Sequence, residues 1–204
     1  MTTLVASEAA ATEQAPARLG MWIFLSSELL LFAGLFALYA GSRALHPAAF
    51  KLGIHHADKL TGSTNTAVLL VSSTLVALGV NAAKASRKLT AIAWLTGTLA
   101  CGALFLLLKL LEYRRHLLHG IAPGGHGSGL AAVAGLPQFW TLYYATTGLH
   151  AVHVVVGLVV LSVVLWKLIV APIERSARLL ENAALYWHLI DLIWIFLWPL
   201  FYLA

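Results

Sequence analysis

Five apolar stretches of membrane length dominate this chain, roughly 19–43, 64–83, 89–113, 138–168 and 182–203. A bilayer core takes about 20 apolar residues in helical form. The backbone must also satisfy its own hydrogen bonds there, which leaves helices or closed barrels. The segments lack the in/out alternation of barrel strands, so the sequence predicts an all-α polytopic membrane protein, a bundle of five transmembrane helices. Only 10% of the 204 residues are charged, against about 25% in a soluble domain. The fourth stretch is long enough to be tilted or to protrude from the membrane.

The formal charge of +5 is spread over connections, where Lys and Arg orient helices against anionic lipid. No basic cluster suited to a nucleic acid is present. The first 17 residues carry Glu8 and Glu13 and no basic region, the pattern of a disordered tail over 1–18 ahead of a domain over 19–204, and not of a secretory signal. Thr61-Gly62-Ser63-Thr64 precedes the second span and Pro137 opens the fourth, where a missing N–H is harmless. The connection over 44–63 holds His46, His55 and His56, and that over 114–137 is glycine-rich with His119 and His126; both read as solvated loops. The tight KASRK turn over 84–88 favours an N-terminus in the cytoplasm. Cys101, flanked by Ala100 and Gly102, reads as a packing residue.

Polar groups inside the spans are the functional candidates, because charge in hydrocarbon costs several kcal/mol. Glu28 lies near the middle of the first span. A carboxyl at that depth either finds a partner on another helix or exchanges protons or meets lipid. His150 and His153 share one face of the fourth span, as do His188 and Asp191 in the fifth, since residues three apart point about 60° from each other. Small residues Gly148, Ala151 and Gly157 let another helix come close. Imidazoles at this spacing suit a metal or haem. A carboxylate bundle would need paired ExxH motifs, whereas this chain has one HxxH and one HxxD. Glu112, His150, His153, His188 and Asp191 are therefore assigned to an interhelical hydrogen-bonded network, with no metal site. Lys109 and Glu112 sit one turn apart and can pair. Arg114, Arg115 and Trp187 are candidates for lipid headgroups. No phosphate loop, HExxH or nucleophile elbow occurs, so no catalytic residue is assigned.

Five sets of residues, in order, carry a resemblance. They are Gly20-Met21-Trp22 with Ser27-Glu28 and Phe32-Ala33-Gly34; Asn65-Thr66 with Leu69-Leu70 and Ser72-Ser73; Glu112-Tyr113; Thr147-Gly148-Leu149-His150 with His153; and Tyr186-Trp187-His188 with Asp191 and Trp194-Ile195-Phe196. Together the chain resembles subunit III of the haem–copper oxidases, the cytochrome c and quinol oxidase family, over about 20–204. The resemblance implies an accessory, non-catalytic subunit of a bacterial terminal oxidase that reduces oxygen to water and pumps protons. It implies no cofactor in this chain, with haem and copper in partner subunits. It further implies contact with subunit I, association with subunit II and other subunits, bound phospholipid, and a multi-pass place in the bacterial inner membrane with the N-terminus cytoplasmic and the C-terminus periplasmic. Glu28 matches the family's carbodiimide-reactive intramembrane carboxyl. Members are thought to support proton uptake into subunit I and its stability. Longer members have seven spans, and the two leading helices that form one arm of their lipid-holding cleft have no counterpart here. Partnership with a nitric oxide reductase also fits the short form. A free-standing haem or metal protein built on His150, His153 and His188, and a small transporter, are the rivals from other classes.

Overall fold

The computed structural model describes residues 2–123 and 133–203, with side chains except at 2–18 and 174–175. His126 and most of the glycine-rich connection lie outside the described residues, as do the side chains of Glu8 and Glu13. Among the described residues, six α-helices follow in order: α1 (Thr2–Leu45), α2 (Pro47–His56), α3 (Lys59–Lys84), α4 (Lys88–Leu118), α5 (Leu136–Val170) and α6 (Ile173–Trp198). A π-helical turn, Pro199–Leu203, continues α6. Among the described residues, five segments are long and apolar enough to cross a membrane: Leu19–Leu45, Lys59–Lys84, Lys88–Leu118, Leu136–Val170 and Ser176–Leu203. The protein is a multi-pass, all-α membrane bundle.

Helix ends follow local chemistry. Asp58 caps α3: its Oδ1 accepts from the Leu60 and Thr61 N–H groups at 3.1 and 3.2 Å, and its Oδ2 from the Thr61 hydroxyl at 2.6 Å. Partial burial pushes the Asp58 carboxyl up. The Thr61 and Leu60 hydrogen bonds and the Arg115 guanidinium outweigh burial and hold it below its ordinary value. A depressed carboxyl stabilises the fold above its ordinary titration range, and that stabilisation is lost as pH falls through the lowered value. Asp58→Ala is expected to cost about 1 kcal/mol, read as earlier detergent-induced unfolding at neutral pH, with the difference shrinking in acid. Gly135 opens α5 with φ +91°, a left-handed conformation, and a Cβ there would stand 2.4 Å from the His46 ring. Only glycine meets both demands. Pro199 has no N–H to continue the α-helical ladder, and the chain widens into the π turn at that residue.

The segment over 44–63, expected to be a connection, contains α2. Phe50 and Ile54 of α2 are buried, and Phe50 stacks edge-on against Tyr39 and Phe139 at 5.2 and 5.3 Å between ring centres. The period-four placement of Phe50 and Ile54 was the available signal, masked by three histidines. α4 also continues to Leu118, past the expected end near 113, because its basic last turn is at home in the headgroup region.

α6 is the central helix and α1 the peripheral one, with 50% and 11% of their spanning windows buried. Trp187 explains how α6 is seated. It is fully buried between Gly102 of α4 and Gly157 of α5, where a Cβ would come within 2.8 Å of its ring on each side. Its indole N–H donates to the Ser72 hydroxyl of α3 at 3.0 Å. Lipid tails are as apolar as the core, so such close packing and interhelical hydrogen bonds hold the bundle. Gly157→Leu is expected to cost about 1–3 kcal/mol through overpacking, seen as lower resistance to unfolding in denaturing detergent.

Candidate functional site

The polar residues inside the spans form three separate groups. In the first, α1 meets α5. Glu28 Oε2 lies 2.7 Å from His153 Nε2, and the pair is largely shielded. His153 Nδ1 lies 2.8 Å from the Leu149 carbonyl, which only accepts, so Nδ1 carries a hydrogen. The Nε2···Oε2 contact then holds one proton, either on the carboxyl or on the imidazole. Whichever atom bears it, the pair is neutral overall. Phe32 covers the imidazole edge-on at 5.3 Å.

The second group joins α4, α5 and the π turn. Lys109 Nζ donates to Glu112 Oε2 at 3.1 Å, to the Tyr143 hydroxyl at 2.9 Å and to the Tyr202 hydroxyl at 2.7 Å. Both hydroxyls also reach Glu112 Oε1, at 2.6 and 2.7 Å. Tyr113, Tyr143, Trp194 and Tyr202 place ring centres 4.8–5.4 Å from the ammonium. Lys109 and Glu112 are thus a desolvated ion pair with every strong contact satisfied, inside an aromatic cage.

The third group lies where α3 faces α6. His188 Nδ1 bonds the Ser73 hydroxyl at 2.7 Å, and the Trp194 N–H donates to Thr66 at 3.1 Å. Asp191 is buried beside Ser73. His150 is fully buried, with both ring nitrogens unbonded, packed against Phe32, Phe105 and Trp194.

The five residues assigned to one network therefore divide among three groups. His153 serves Glu28, Glu112 serves Lys109, and His188 serves Ser73. His150 makes no hydrogen bond, a correction to its assignment, and aromatic packing holds it instead; Asp191 of α6 sits beside Ser73 of α3. Among the described residues, no three His, Cys, Asp or Glu side chains converge as a metal ligand set. Trp187 is corrected too: wholly enclosed by α3, α4 and α5, it has no surface for a headgroup. Arg114 and Arg115 are exposed at the end of α4, with Arg115 at 3.6 Å from Asp58. Tyr143 escaped the sequence reading, and the polar roles of Tyr202 and Ser73 were not assigned there. Tyr143 lies two turns before His150 on one stripe, a signal that was present, whereas Tyr202 is positioned by a π turn that no pattern announces.

These features define a class: a helical membrane protein whose polar interior is organised by contacts between helices. The chain matches the family described as Cytochrome c oxidase subunit III over residues 3–204. It is 33% identical over 183 residues to cytochrome c oxidase subunit 3 of Corynebacterium diphtheriae, covering 86% of this chain and 82% of that one. Identity to cytochrome bo(3) ubiquinol oxidase subunit 3 of Pseudomonas aeruginosa is 31% over 191 residues, 90% of this chain and 83% of the relative. A heme-copper oxidase subunit I+III of Aeropyrum pernix is 30% identical over 195 residues, which are 92% of this chain and 22% of that longer protein. The chain belongs to the cytochrome c oxidase subunit III family.

Proposed function

We propose that this chain is the non-catalytic subunit III of a bacterial haem–copper terminal oxidase, docked on subunit I in the inner membrane with its N-terminus cytoplasmic. The observation that carries the reading is the match over residues 3–204, supported by the relative named subunit I+III. In this reading haem and copper reside in partner subunits, subunit II completes the core, and the lipid-facing helices hold phospholipid. Glu28 serves subunit I through its neutral pair with His153. The pair ties α1, the least buried span, to α5.

Mild-detergent purification of the tagged chain from its native membrane tests the assignment. A stoichiometric large subunit with haem bands in reduced-minus-oxidised spectra is expected; a colourless chain without a partner would overturn it. In that complex, Glu28→Gln is expected to leave haem content unchanged while shortening sustained turnover or lowering retained lipid. Unchanged turnover and lipid over many cycles would remove any such role from Glu28.

A further inference from the structure

A cavity of ≈ 360 Å³ opens where α4 ends and α3 begins, lined by His56, Asp58, Glu112, Arg115, His116 and His119, with Ile121 at its wall. Glu112 is among the lining residues, although its side chain is only 1% exposed. His116 is also buried, and its Nδ1 has no hydrogen-bond partner. At the mouth, Asp58 and Arg115 are well exposed and face each other at 3.6 Å. A space this large with several polar walls holds water, on the order of ten molecules at ~30 Å³ each. Of the buried ion pair, Glu112 borders this space and Lys109 does not.

We propose that this cavity is a water-filled proton inlet, through which Glu112 exchanges protons between the aqueous phase and the buried Lys109, Tyr143 and Tyr202 cluster. The step is simple: hydronium in the cavity gives its proton to the Glu112 carboxylate, water remains, and the cluster passes from neutral to a net charge of plus one. The cluster is built to tolerate that state. Lys109 keeps two tyrosine oxygens and four aromatic faces as partners when its carboxylate is neutralised. Other charged or titratable groups facing Glu112 come from every neighbouring element: His56 of α2, Asp58 before α3, Tyr113, Arg115 and His116 of α4, His119 beyond it, Tyr143 and Tyr144 of α5, and Tyr202 of the π turn. This inference stands independently of the oxidase assignment, because it rests on the chain's own cavity.

Two measurements on the chain in its native membrane complex test it. In a Cys101→Ser background, Ile121→Cys is expected to react with a membrane-impermeant, positively charged methanethiosulfonate at least about tenfold faster than Leu69→Cys, which lies in the dry core. Protection of position 121 equal to that of position 69 would overturn the inlet. Infrared difference spectra between the native complex and Glu112→Gln isolate the Glu112 band. That band is expected to change with bulk pH and to shift promptly in heavy water. A band silent to pH and unshifted after hours in heavy water would overturn proton exchange even with position 121 reactive. Reactivity at Ile121→Cys needs neither Glu112 nor His116 altered, so failure of Glu112→Gln to assemble leaves the inlet testable.

Discussion

Lys109→Met is expected to destabilise the bundle by about 3–5 kcal/mol, because it removes one partner of a buried pair and leaves Glu112 uncompensated. Glu112 would keep both tyrosine hydroxyls, but two neutral donors do not replace an ammonium for a buried carboxylate. The measurement is the midpoint of unfolding in denaturing detergent. The same loss should loosen the π turn, since Tyr202 is held there by Lys109 and Glu112. Adding Glu112→Gln to Lys109→Met should recover at least half of the lost stability, because the uncompensated charge is then gone. A double variant as unstable as the single one would show that packing, and not charge, dominates the site.

Trp187→Ala is expected to cost about 3 kcal/mol, at the low end for emptying a Trp site. The figure stays low because an unpacked membrane helix sits in lipid, so the transfer component largely disappears and lost contact between packed helices remains. The indole fills the space between Gly102 and Gly157 and ties α6 to Ser72 of α3. Its removal therefore separates three helices from α6 at one point. A thermal or detergent midpoint equal to that of the native protein would show that α6 is seated chiefly by its Tyr202 end. Trp187→Phe separates the two contributions: it keeps most of the filling and removes only the Ser72 hydrogen bond, so its expected cost is about 1 kcal/mol.

Five spans, their class and the residues worth attention were legible from the sequence, because hydrophobic length and the expense of intramembrane charge are local properties. Glu28, Glu112 and the histidines stood out on that ground alone, and the Lys109–Glu112 pair followed from helical spacing. The order of motifs gave the family. Partner choice was another matter. Helical spacing places His150 and His153 on one face, yet one binds Glu28 and the other packs among aromatic rings without a hydrogen bond. That division depends on where α1 and α6 pass α5, which is a property of the packed bundle. Trp187 read as an interfacial aromatic until two glycines on different helices made room for it in the core. α2 was hidden because a short helix at a membrane edge needs little apolar sequence and takes its stability from contact with Tyr39 and Phe139. Sequence by itself determined how many helices cross and which side chains are costly to leave there. Only the tertiary structure decided which of those side chains meet, because contacts between helices depend on crossing points and small-residue gaps spread over distant parts of the chain.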